Sequence, residues 1–132
     1  MIIRSDFINE ILNLINSSDG VISIFISNTH VHFAEDEKFL HKHSIGSAGT
    51  VFRKDLAKEV IENIPKGPSF DFKYCEYLKL RNIKLLCCKH SLIQYIGFTQ
   101  GQYSSGRNGD IDINFFDYTP TNSYILNEII LN

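Results

Sequence analysis

Phe7, Ile11, Leu14 and Ile15 recur at three- and four-residue steps, with Ile8 and Leu12 beside them. That stripe predicts a helix over 6–17 with Ser5 as its cap. Asp19-Gly20 ends it. Val21 to Ile26 then reads as a strand with Ile22, Ile24 and Ile26 on one face. Ser27-Asn28 turns the chain into a second strand, Thr29 to Ala34, whose Val31 and Phe33 are expected in the core. Residues 35–49 are polar and then small, which is the composition of a long loop. Thr50 is expected to cap a second helix over 51–64, where Phe52, Leu56, Val60 and Ile64 stand four residues apart. Pro65 and Pro68 stop it.

The second half predicts four antiparallel strands, over 70–80, 83–90, 92–99 and 111–118. A two-residue hairpin at Arg81-Asn82 sets Leu80 opposite Ile83, Leu78 opposite Leu85 and Cys75 opposite Cys88, which gathers leucines on one face. From Thr121 onward, Tyr124, Ile125, Leu126, Ile129 and Ile130 suit a short apolar helix or an edge strand. The expected fold is α+β, one domain over 1–132, with a β-hairpin and a four-strand meander forming an antiparallel sheet. Two or three helices pack on it, in the order α-β-β-α-β-β-β-β-α. That order resembles the plan of profilin-like and roadblock-like small domains.

Composition narrows the class of function. Hydrophobic residues make up 43% of the 132, which is ordinary globular usage. The longest unbroken apolar run, Leu85 to Cys88, is four residues, far short of a membrane span. Met1-Ile2-Ile3 is followed at once by Arg4, Ser5 and Asp6, so the expectation is a cytoplasmic protein without a leader. Three cysteines, with no CxxC spacing, are expected as reduced thiols. The net charge of −2, and the lack of RNP-type aromatic spacing in the basic stretch 77–90, argue against a nucleic-acid partner.

Charge is segregated along the chain. Residues 1–37 carry six acids against one base, 77–109 carry five bases and no acid, and 110–132 carry four acids and no base. Opposed patches of this kind steer a partner, unless the segments pair with each other inside the fold.

Four constellations could carry chemistry. His30, His32, His41 and His43 fall within fourteen residues. On a strand His30 and His32 would share a face, where they could hold a divalent transition metal completed by Glu35, Asp36, Glu37 or the second pair. Cys87-Cys88-Lys89-His90 places thiols beside cationic groups, although on a strand they also suit buried apolar packing. The small-residue run Ser44 to Thr50, ahead of the predicted helix, could accept a phosphate at its N–H groups. Thr99 to Asp110 is longer than a hairpin needs, and it presents Tyr103 and Arg107 among Ser, Gly and Asn.

No GxSxG, HExxH, P-loop or dinucleotide fingerprint occurs. The leading expectation is a non-enzymatic protein-binding domain, a dedicated inhibitor of one cognate partner and without a cofactor. In size and character the chain resembles bacterial immunity proteins, which neutralise a toxin. A basic toxin or nuclease would meet Glu35, Asp36 and Glu37, or Asp110, Asp112 and Asp117, with Tyr103 and Arg107 as loop contacts. The alternatives are a small metal-dependent enzyme built on His30 and His32, a secretion chaperone, and a nucleotide-sensing domain using Gly46–Thr50.

Overall fold

The apolar stretch after Gly20, interrupted only by Ser23, supplies an interior strand of a sheet. The computed structural model describes residues 2–3, 6–27 and 30–94, and the structure below is that of these residues. In chain order they form β1 (Ile2–Ile3), α1 (Phe7–Asn16), β2 (Val21–Ser23), β3 (His32–Glu35) and β4 (Phe39–Lys42). After these come β5 (Thr50–Phe52), α2 (Lys54–Asn63), α3 (Phe70–Leu80), β6 (Leu86–Cys88) and β7 (Ile93–Gln94). Five strands make one sheet in the order β3-β4-β6-β2-β5, and β1 pairs with β7 apart from it. The fold is α+β as expected, but the sheet is mixed. Strand β2 runs parallel to β6, through Ile22–Leu86 and Ser23–Cys87, and the other pairings are antiparallel. The order of elements differs from the predicted one, and the likeness in plan goes with it.

Alternation of side chains sorts the core into two clusters. Ile22 and Leu86 pack with Phe7, Ile11, Leu14 and Ile15 of α1. Their chain neighbours Val21 and Leu85 pack with Leu56 and Val60 of α2 and Tyr74, Cys75 and Leu78 of α3. The sheet is therefore covered on both faces. This is why β2 and β6 are buried at every position rather than at alternate ones. No helix among the described residues is long and apolar enough to cross a membrane.

Helix α1 lies within its predicted span. The predicted hairpin of 21–26 with 29–34 does not form, because β2 takes β5 and β6 as neighbours while β3 pairs with β4. The 35–49 stretch holds β4 and the hairpin turn instead of being all loop. Thr50 opens a strand, and α2 starts four residues later, behind Arg53. Thr50 Oγ1 is committed to the carbonyl of Gly46 at 2.5 Å. Val31 and Phe33, expected in the core, are 71% and 59% exposed, because β3 stands at the margin of the sheet.

The largest correction is 70–80, which is helix and not strand. The Arg81-Asn82 pair that suggested a hairpin is the end of α3. Asn82 has φ 58°, its N–H donates to Lys79 O, and Ile83 N–H donates to Leu78 O at 2.9 Å. Those two bonds close a Schellman cap. An Asn at positive φ serves a type I′ hairpin equally well, so the local signal fits both structures. Asp71 in the first turn and Lys79 in the last complement the helix dipole. Cys75 and Cys88, predicted to be opposite each other, belong to different clusters.

Ser5, the predicted strand over 111–118, most of that over 92–99, and the tail from Thr121 lie outside the described residues. The same holds for the loop Thr99 to Asp110 and for Tyr103, Arg107, Asp110, Asp112 and Asp117.

Candidate functional site

The histidine-rich segment folds into the β3–β4 hairpin, and its turn is organised by Asp36. Asp36 Oδ1 accepts the backbone N–H groups of Lys38 and Phe39, each at 2.9 Å, and Oδ2 lies 2.7 Å from His41 Nε2. The Asp36 N–H in turn donates to Phe39 O at 3.0 Å. Lys38 Nζ reaches Ser17 Oγ at 3.0 Å, tying the turn to the end of α1. Of the three acids expected to meet a partner, Asp36 is thus a turn-building residue. Glu35 faces Lys89 at 3.6 Å, and Glu37 is exposed on the turn. The Glu35–Lys89 pair, with Asp19 Oδ2 accepting Lys84 N–H at 3.0 Å, joins the acidic first segment to the basic one. Of these two contacts, only the Glu35–Lys89 pair sets opposite charges together, and it does so at the surface.

The hydrogen bond with His41, followed by those from Phe39 and Lys38, holds the Asp36 carboxyl down at about 2, against an ordinary 3.8. A carboxyl more acidic in the fold than in the unfolded chain favours folding once ionised. Its contribution is complete above the unfolded value and disappears as pH falls through about 2. Asp36→Asn is therefore expected to lower the urea midpoint by a constant amount above about pH 5, with the difference from wild type closing between about pH 4 and 2. A gap that does not depend on pH would show that the ionised carboxylate plays no part.

Strand β3 carries a bulge. His32 pairs with Lys42 and Ala34 with His41, so Phe33 is the extra residue between them. Its ring stacks on His43 at 4.3 Å and meets His41 edge-on at 6.4 Å. His30 and His32 do border one depression, together with Ile26, Ser27, Val31 and Leu40. Each remaining imidazole has its own task, and among the described residues no three His, Cys, Asp or Glu side chains gather as a metal centre requires. No known family model, curated protein or solved structure matches the chain. Its function is therefore argued from the geometry.

On the inner side of the hairpin lies a cavity of about 140 Å³, walled by Ser23, His30, Lys42, Gly46, Ser47 and Asp71. Its floor is the 44–50 loop, which is pinned from α3. Tyr74 O–H donates to Ile45 O at 3.2 Å, and the Cys75 thiol and the Ile45 N–H share a contact of 3.4 Å. Burial pushes the Tyr74 phenol up to about 12, and burial likewise raises the Cys75 thiol, so both stay protonated. His30 Nδ1 sits 2.8 Å from Ser44 Oγ, and its Nε2 would lie 3.0 Å from a Cβ at Gly46. Gly46 is the small residue that lets this ring close the cavity. Burial first, and then the Lys42 charge, lower the His30 pKa below 6.5, with Asp71 opposing. The ring is thus kept neutral.

The small-residue run Ser44 to Thr50, expected to hold a phosphate ahead of a helix, leads into strand β5 instead, yet part of the same loop walls this cavity. Lys42 was missed, because a lysine next to histidines in a polar stretch carries no sign that it will be buried. The thiols Cys87 and Cys88 are buried as well. A hydrogen bond with Cys87, followed by burial, raises Cys88 well above its ordinary value, the opposite of what a nucleophile needs.

Proposed function

We propose that this chain is a non-enzymatic protein-binding domain that docks one partner protein along the outer edge of β3 and the turn after it. Inhibition of a basic partner, as by a toxin-neutralising immunity protein, is the form of binding that suits this surface. The observation that carries the reading is the edge itself. All four residues of β3 are exposed, no strand lies beyond it among the described residues, and Phe33 projects from its bulge. A marginal strand offers backbone groups for strand addition. A bulge discourages indiscriminate pairing, which leaves recognition to the projecting ring and the neighbouring charges. Glu37, exposed on the turn that follows, supplies negative charge on the same hairpin.

The test is capture of the partner by the full chain at moderate salt, with stoichiometry, followed by rate measurements on variants. Phe33→Asp should weaken binding by about 30-fold or more, the size of an interface anchor. Because Phe33 is exposed, its effect on stability should stay within about 0.5 kcal/mol. Glu37→Lys should slow association, chiefly at low salt. A partner that binds wild type and Phe33→Asp equally would remove this edge from the interface, and no partner near one-to-one would count against the binding reading itself.

A further inference from the structure

Lys42 is 4% exposed, yet its ammonium makes no hydrogen bond or ion pair among the described residues. Its backbone is spoken for, with the N–H donating to Leu85 O at 2.9 Å and the residue registered against His32. The side chain is therefore carried inward by strand geometry. An ammonium taken out of water without a partner is strongly unfavourable, so buried charges are found paired, hydrogen-bonded or in contact with a ligand. The nearest carboxylate across the same cavity is Asp71, and it forms no ion pair with Lys42 within the described residues.

We infer that the cavity between β4, the 44–49 loop and the first turn of α3 is a binding site for a small oxyanion, a carboxylate or a phosphate, with Lys42 as its counter-charge. The other walls fit that chemistry. Ser47 borders the cavity with a hydroxyl, the Ser23 hydroxyl is turned to Phe25 O at 2.8 Å, and His30 brings a neutral ring whose Nδ1 side is already held by Ser44. A volume of about 140 Å³ admits a ligand of several non-hydrogen atoms. Asp71 lines the same cavity as Lys42, so it limits affinity for a bare anion and favours a ligand that turns a hydroxyl or an amine towards it.

The experiment is thermal unfolding of the full chain in anion-poor buffer, at constant ionic strength, with inorganic phosphate or acetate as the added probe. About 20 mM of the fitting anion should raise Tm by about 3 °C or more in wild type. The response to phosphate against acetate tells which oxyanion the site prefers. Lys42→Met keeps the length of the side chain and removes the charge. In that variant the rise should vanish, while Tm without anion should be equal to or higher than in wild type. General salting effects stabilise any fold, so the decisive quantity is the difference between the two proteins. Equal rises in wild type and Lys42→Met, or no rise with either anion, would overturn the site. If Lys42→Met fails to fold, Asp71→Asn decides. Removing the opposing charge should tighten binding of the same anion, and unchanged or weaker binding would overturn the inference.

Discussion

Leu78→Ala is expected to destabilise the protein by about 2–5 kcal/mol, whereas Leu80→Ala changes stability by less than about 0.5 kcal/mol. Two residues apart, these leucines sit in opposite surroundings. Leu78 is 0% exposed among Val21, Tyr74 and Leu85, and Leu80 is 84% exposed on the far side of α3. On a strand they would share a face, and both truncations would be costly. Urea denaturation with a common m-value measures the pair. Comparable losses at the two positions would mean that 70–80 packs as a strand and that the cavity wall contributed by Asp71 is misplaced.

Gly49→Ala should cost on the order of 2–4 kcal/mol, combining backbone strain with overpacking. Gly49 has φ +71°, and a Cβ there would lie 2.7 Å from Ile93 Cδ1 and 3.1 Å from Phe25 Cβ. Its carbonyl accepts Ile24 N–H at 2.8 Å, so the glycine fixes where the 44–50 loop rejoins the sheet. Ile93→Val deletes the colliding methyl, and the double variant should lose less than the sum of the two single losses. Strict additivity would place the cost in the backbone conformation and the Phe25 contact, not in the Ile93 methyl.

These two positions also show where local pattern reaches its limit. The stripe of Phe7, Ile11, Leu14 and Ile15 has one solution, a helix with one buried face, and α1 follows it. Val21 to Ile26 reads as a strand from its alternating isoleucines; the strand forms over Val21–Ser23 only, although all six residues are buried. In 70–80, by contrast, Phe70, Phe72, Tyr74, Leu78 and Leu80 alternate as in a strand, while Tyr74, Cys75 and Leu78 fit a helix stripe. Packing chose between them. The helix satisfies its own backbone, and β2 already holds β5 and β6 as neighbours.

The candidate site divides in the same way. Asp36 and the histidines could be singled out from residue type, and the acidic turn does lie at the surface. The exposure of Phe33 follows from the position of β3 at the end of a five-strand order, which is a non-local fact. Burial of Lys42 goes with a bulge in the strand beside it, with Leu85 from 43 residues further along the chain, and with a cavity that the first turn of α3 helps to wall. None of these is encoded near residue 42.

Spacing, turn residues and composition were therefore enough to establish an α+β protein, its first helix and the start of an interior strand. Periodicity reports how one segment meets a surface, and where that report is unambiguous it holds. Strand order, the direction of β6 beside β2, the helical state of 70–80 and the buried ammonium of Lys42 came from elsewhere. Each depends on which distant segments compete for the same face and the same hydrogen bonds, and only the assembled fold resolves that competition.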